Sequence, residues 1–154
     1  MTEYDSTTAP IVVGVDGSAP SREALRWALQ LATTAGAPVE AVAAWHLPPI
    51  GYGMAGGPVY QPEADTKAML DVLVDEVAGA ADVLRTVTEG GAARVLIDAS
   101  RHARLLVVGS RGHGGFAGLL LGSVSSACAE HAQCSVLVAH GPVERLTDGP
   151  AATA

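Results

Sequence analysis

A glycine-rich segment in the last third of the chain has the residue types and spacing that suit binding of a phosphate anion. It begins with Gly109-Ser110-Arg111-Gly112 and ends with Gly122-Ser123-Val124, where a helix is predicted to begin. Glycines let the backbone approach an anion closely and turn its N–H groups toward it. A helix start adds unpaired N–H donors and a positive dipole end, and the Ser123 hydroxyl is a further donor. The segment is therefore a candidate phosphate loop, in which Arg111 either pairs with phosphate or stays solvated.

Two other phosphate-binding motifs fit this segment poorly. A Walker A loop requires Gly-Lys-Ser/Thr, whereas the only lysine of the chain is Lys67. Residues 112–117 formally match the Gly-x-Gly-x-x-Ala variant of the dinucleotide fingerprint. They follow the fourth apparent strand rather than the first, and no ribose-binding acid stands at the expected distance. The segment is thus predicted to hold phosphate mainly through backbone donors.

The elements that position this loop are indicated by short apolar runs that alternate with helical periodicity. Apolar residues at i, i+3, i+4 and i+7 from Leu25 predict a helix, with Ser18 as its N-cap. The predicted strands are 11–15, 39–45, 83–87, 105–108 and 135–139. Repeated strand–helix order predicts a parallel sheet with right-handed crossovers and helices on both faces. Ligands of such sheets bind beyond the carboxyl ends of the strands, so the loops after the first and fourth strands are the candidate site.

The length of 154 residues predicts a single domain, 1–154, with a core at about 11–140 and flexible termini. A Pro- and Gly-rich segment at about 46–62 is predicted to be a long loop. It is either a functional, mobile loop or a crossover without a role of its own.

Charge and composition restrict the partners that are expected. The net charge is −7 and the chain has no basic run, so a nucleic-acid partner is not expected. No apolar run reaches the roughly 18 residues of a membrane span. Cys128 and Cys134 are expected to be reduced and structural, and a cytoplasmic location follows. The histidines show no metal-ligand spacing, so no structural metal is predicted.

Several segments, in the same order along the chain, resemble the universal stress protein family. Gly109-x2-Gly112-x9-Gly122-Ser123 matches that family's ATP-binding signature in full, and residues 11–18 resemble its first strand with the nucleotide-contacting aspartate, Asp16. The resemblance extends from about Ile11 to His140. It implies an α/β fold like that of the adenine nucleotide α-hydrolases, with an open five-stranded parallel sheet of order 3-2-1-4-5 and helices on both faces.

The resemblance also implies a site for ATP or a related adenine nucleotide, accompanied by Mg²⁺. The implied nucleotide contacts are Gly14, Val15, Asp16, Ala44, Gly109, Arg111, Gly112, Gly122, Ser123 and Val124. Asp16 would contact the ribose or the phosphate-bound cation, which makes it the candidate metal ligand; alternatively it is a turn residue beside the helix cap. Backbone groups of Ala44 would meet the adenine edge.

The function implied by the resemblance is that of a nucleotide-dependent stress-response regulator rather than an efficient catalyst. The loop lacks a lysine and a convincing general base, so no catalytic residue is assigned. The family implies a homodimer joined through the last strand, Ser135 to Ala139. A slow ATPase of the adenine nucleotide hydrolase type, a binder of AMP or cyclic AMP, and a nucleotide-free dimeric interaction module remain alternatives.

Overall fold

The structure, a computed structural model, describes residues 8–47, 61–112 and 120–141. Strands and helices alternate along these residues. In chain order they are β1 (Ile11–Gly14), α1 (Ala19–Ala35), β2 (Val39–Trp45), α2 (Pro62–Ala78), β3 (Val83–Glu89), α3 (Ala92–Ala99), β4 (Leu105–Gly109), α4 (Ser123–His131) and β5 (Ser135–Ala139).

The five strands form one parallel sheet of order β3-β2-β1-β4-β5, which confirms the predicted order. In its register, Val12 of the central β1 lies opposite Glu40 of β2 and Leu106 of β4. The strand order reverses between β1 and β4, because the chain moves outward to β3 on one side and to β5 on the other. The carboxyl ends of β1 and β4 therefore meet at the reversal, where a crevice opens in folds of this kind.

Helices cover both faces of the sheet, as predicted. Ile11 and Val13 point to the face that packs against α1 and α2, while Val12 points to the face that packs against α3 and α4. Residues on both sides of β1 are fully buried. This two-sided burial explains why the strand reads as a continuous apolar run rather than an alternating one.

The helix boundaries follow local signals in the sequence. Ser18 caps α1, because its Oγ accepts a hydrogen bond from the Ser21 N–H at 3.3 Å. Gly36 ends α1 in the left-handed conformation, with φ of 63°. The predicted loop at 46–62 extends too far, since Pro62 already opens α2, a first-turn position for which its fixed φ is well suited.

Some predictions concern residues beyond the described part of the chain. Residues 48–60 of the predicted loop, and the predicted flexible termini at 1–7 and 142–154, lie outside it. Within the described ranges, no helix is long and apolar enough to cross a membrane.

Candidate functional site

A cavity of about 320 Å³ lies at the carboxyl ends of β1 and β4, at the reversal of strand order. The structure brings all ten sequence-predicted contacts to its lining. These are Gly14, Val15, Asp16, Ala44, Gly109, Arg111, Gly112, Gly122, Ser123 and Val124. The residues come from strand ends, loops and a helix start that are far apart in the sequence, so their shared cavity is a consequence of the β1–β4 pairing.

The cavity is also lined by six residues that were not predicted from the sequence. They are Ser21, Val42, Ala92, Leu96, Val108 and Ser125. Most are small or apolar residues of helices and strands, and they make the inner wall largely apolar. Such a wall suits a planar aromatic ring, while the charged and glycine-rich loops at the mouth suit the polar part of a ligand.

The N-terminus of α4 forms one wall of the cavity. Its N-cap is Gly122, which has no side chain to accept a hydrogen bond from the first turn. The Gly122 N–H donates to the Ser110 carbonyl at 2.7 Å, and the Ser125 hydroxyl donates to the same carbonyl at 2.9 Å. These bonds fix the helix start against the end of β4. With no side-chain cap, the N–H groups of the first turn are available to an anion.

Asp16 holds the turn after β1 and also lines the cavity. Its Oδ1 accepts hydrogen bonds from the N–H and the hydroxyl of Ser18, so it stabilises the turn that leads into α1. It is also exposed and lines the cavity. Ser18 in turn caps α1, so the orientation of the Asp16 carboxylate is tied to the start of that helix.

Gly112 lies close to this aspartate, so a side chain at position 112 would push the carboxylate aside. A Cβ atom at position 112 would lie 2.6 Å from Asp16 Oδ2. The absence of a side chain therefore lets the loop after β4 close onto the carboxylate that follows β1. This contact brings the two halves of the predicted site together across the strand reversal.

Gly109 lines the cavity, but the structure gives a different reason for glycine at this position from the one predicted. A Cβ atom there would lie 2.8 Å from the Pro20 backbone carbon and 2.9 Å from the Ser21 nitrogen. Real Cβ atoms do not come this close to backbone, so a glycine allows the first turn of α1 to pack on β4. Close helix–strand packing thus explains the first glycine of the signature without a ligand.

The wall formed by α3 depends on another close approach. Leu96 of α3 packs over Gly14 of β1, where a Cβ atom would lie 2.7 Å from Leu96 Cδ1. Ala92, at the start of the same helix, also faces the cavity. The position of α3 therefore determines the shape of the apolar wall.

Metal-ligating side chains do not form a cluster among the described residues. Among residues 8–47, 61–112 and 120–141, no three His, Cys, Asp or Glu side chains are placed to hold a metal ion. Cys128 and Cys134 are both free, and burial raises the pKa of Cys128 to about 11. Desolvation by burial raises the pKa of Cys134 as well.

Comparison with known proteins identifies the family to which the sequence is similar. A family model described as the universal stress protein family matches residues 8–140. A universal stress protein of Mycolicibacterium smegmatis is 35% identical over 139 residues, which is 84% of this chain. One of Mycobacterium tuberculosis is 36% identical over 147 residues, or 88% of this chain. The chain spans 45% and 46% of the lengths of these two relatives, respectively.

Solved structures extend the similarity to the whole fold. One is described as a universal stress protein in complex with cAMP, with a TM-score of 0.65 and 31% identity. The match covers 88% of this chain and 98% of that one. A universal stress protein from Lactobacillus plantarum, 20% identical with a TM-score of 0.60, shares the fold.

Proposed function

Because the chain belongs to the universal stress protein family, we propose that it binds an adenine nucleotide in the cavity between the ends of β1 and β4. The nucleotide is ATP with Mg²⁺, and its binding regulates a stress response. The observation that carries this proposal is the N-terminus of α4, which has no side-chain cap and opens onto a cavity lined by every predicted contact. A relative of 31% identity, solved in complex with cAMP, supports adenine nucleotides as the ligand class.

The two ends of the cavity suit the two ends of a nucleotide. The apolar wall that contains Val42, Leu96 and Val108 fits an adenine ring, and backbone groups of Ala44 lie beside it. At the other end, the first turn of α4 offers backbone N–H donors to phosphate. Arg111 lines the same cavity and supplies a positive charge.

Asp16 is suited to hold the magnesium ion that accompanies ATP. Mg²⁺ prefers carboxylate and phosphate oxygens and retains several waters. The Asp16 carboxylate lines the cavity beside Gly112 of the glycine loop, where it would repel bare phosphates. A bound cation reverses that repulsion, so Asp16 favours nucleotide in its magnesium-bound form.

Holding the nucleotide, rather than hydrolysing it, is the function that this lining supports best. Efficient phosphoryl transfer requires charge stabilisation and an oriented nucleophile. Asp16 and Arg111 supply the charged side chains among the described lining residues, and the Asp16 carboxylate is engaged by Ser18. Phosphate release well above background that is lost in Asp16→Ala would favour the slow ATPase instead.

Adding a saturating adenine nucleotide is expected to raise the melting temperature of the protein. A ligand at 100 times its Kd stabilises the folded state by about 2.7 kcal/mol, which corresponds to a shift of about 5–10 °C at this chain length. The melting temperature should be measured with MgATP, AMP and cAMP, with MgGTP as the control. Competition binding then ranks the adenine nucleotides. No shift with any of them at millimolar concentration would remove the proposal.

We further propose that two copies of the chain pair through β5. The two edges of the sheet differ in the features that protect an edge strand from pairing. The edge strand β3 carries Arg85 and Glu89, whereas β5 has the sequence Ser-Val-Leu-Val-Ala and no charge. The side chains of Val136, Leu137 and Val138 are only partly buried. Pairing of β5 with a second copy would cover them.

Replacing Leu137 with lysine is expected to dissociate this homodimer, because a charge on the pairing edge opposes strand addition. Leu84→Lys places the same charge on the opposite edge, where Leu84 is 62% exposed, and controls for the added charge alone, since Leu137 is partly buried against the core. Light scattering should give twice the 15.5 kDa chain mass for wild type and Leu84→Lys, and the mass of one chain for Leu137→Lys. A monomeric wild-type protein at micromolar concentration would contradict the proposal.

The predicted cytoplasmic location stays a prediction.

A further inference from the structure

The helix α3, which forms part of the cavity wall, has few stabilising features of its own. It contains eight residues, and its N-cap Gly91 makes no side-chain capping bond. No acidic residue lies in its first turn and no basic residue in its last. An isolated helix of this length is not stable in water. Tertiary contacts must therefore determine where α3 lies.

Two cavities border α3 among the described residues, although its Val95 and Leu96 are themselves buried in the core. Ala92 and Leu96 face the cavity described above. Val95 and Asp98 line a second cavity, of about 630 Å³, which extends over β2 and β3. Close packing is what fixes side chains and helices in a protein interior, and among the described residues the flank of α3 that faces the second cavity lacks it.

A buried carboxylate connects the end of α3 to the sheet. Glu40 of β2 is only 8% exposed, and its Oε1 accepts a hydrogen bond from Thr86 Oγ1 of β3 at 2.8 Å. Its Oε2 lies 3.0 Å from Nε2 of His102, the third residue after the end of α3. Both oxygens of the buried group are thus engaged by protein partners. We call Glu40, Thr86 and His102 the Glu40 cluster.

The Glu40 cluster is costly to break from one side. A hydrogen bond to a charged group contributes about 1.5–3 kcal/mol, and losing His102 leaves Glu40 Oε2 with the second cavity in place of that partner. A second link at the same end of α3 joins it to the segment between α4 and β5, where the Gln133 N–H donates to Ser100 Oγ at 2.8 Å. The contacts of His102 and Ser100 thus hold the carboxyl end of α3, while its amino end faces the cavity between β1 and β4.

We propose that the Glu40 cluster positions α3 and thereby sets the affinity of the cavity for nucleotide, without touching the ligand. Glu40 and His102 line the second cavity and not the first, so they are positioning residues. Loss of the His102 contact allows α3 to shift toward the open second cavity, which withdraws Ala92 and Leu96 from the adenine end of the site. The inference rests on the proposed function, since it concerns the wall of the same nucleotide site.

Replacing His102 with alanine is expected to weaken MgATP binding about fivefold or more, the usual lower range of coupling between separated positions. His102→Gln restores binding to within about twofold, because its amide N–H can also donate to the Glu40 carboxylate. Amide hydrogen exchange of residues 92–99, measured without nucleotide, becomes faster in His102→Ala and returns toward wild type in His102→Gln. The matched control is Arg101→Ala, which removes only an exposed 3.7 Å ion pair with Asp98.

The outcomes separate the inference from the function on which it rests. Wild-type protein that fails to bind any adenine nucleotide overturns the proposed function. Wild-type binding that His102→Ala retains in full overturns the inference alone, as does an equal loss in His102→Ala and His102→Gln. The His102 side chain is 37% exposed, so a polar replacement is tolerated. If His102→Ala does not fold, His102→Asn, which is too short to reach Glu40, takes its place with the same expected results.

Discussion

Replacing Gly122 with aspartate is expected to abolish nucleotide binding while leaving the protein at least as stable as before. An added Cβ fits, because its nearest neighbour, the Arg111 Cα, would lie 3.4 Å away. Aspartate is a strong N-cap, and its charge at the start of α4 raises the free energy of unfolding by about 0.3–1 kcal/mol. The carboxylate, however, accepts hydrogen bonds from the N–H groups that are proposed to bind phosphate, and it repels the phosphate itself.

The loss of affinity in Gly122→Asp should be at least about 100-fold. Two unit charges 4 Å apart near a protein surface repel by about 4 kcal/mol, and each 1.4 kcal/mol corresponds to a tenfold change. Calorimetric titration with MgATP measures the affinity, and thermal unfolding without ligand measures the stability. Gln61→Asp is the matched control, since it adds the same charge to the N-cap of α2, which also lacks a side-chain cap. Normal binding by Gly122→Asp would show that α4 does not hold the phosphates.

Replacing Gly109 with alanine is expected to destabilise the whole domain rather than the site alone. The new methyl group would lie 2.8 Å from the Pro20 backbone and would force α1 away from β4. Overpacking of this kind costs about 3 kcal/mol, which lowers the melting temperature by about 6–12 °C in a domain of this size. Thermal and urea unfolding of the ligand-free protein would measure the loss.

Gly141→Ala is the matched control for Gly109→Ala, because its methyl group would meet the same proline at an ordinary 3.6 Å. It should leave the melting temperature nearly unchanged. If both variants unfold at the wild-type temperature, the close contact between α1 and β4 is not needed for stability. Because a substitution at Gly109 is expected to destabilise the fold, Gly122 is the better position for testing nucleotide binding separately from stability.

Much of the fold could be predicted from the sequence because apolar runs and helix-end residues are both local signals. Apolar runs such as residues 11–15 indicate strands buried on both faces, and Ser18 and Gly36 mark the ends of α1. The strand order is a different matter. Whether β4 pairs with β1 depends on contacts distant in the sequence, so the order came from the resemblance and was then confirmed by the pairing of Val13 with Val107.

The loops of the candidate site could be predicted, whereas its inner wall could not. The glycines and the helix start have types and spacing that point to an anion, while the ligand role of Asp16 was implied by the family resemblance. Leu96 faces the cavity and Val95 beside it is also buried, yet the two are apolar helix residues that look alike in the sequence. Nor does the sequence connect Glu40 to His102, since their contact exists only after the sheet and α3 have assembled.

The contact between Gly112 and Asp16 has a consequence for the order of events during synthesis. Residues of β1 leave the ribosome early, but their partner strand β4 and the start of α4 follow only after most of the domain has emerged. Pairings between such distant segments form late, because closing a long loop must precede them. A nascent chain therefore has no completed cavity until α4 is available, and nucleotide retention by stalled chains of increasing length would report when the domain closes.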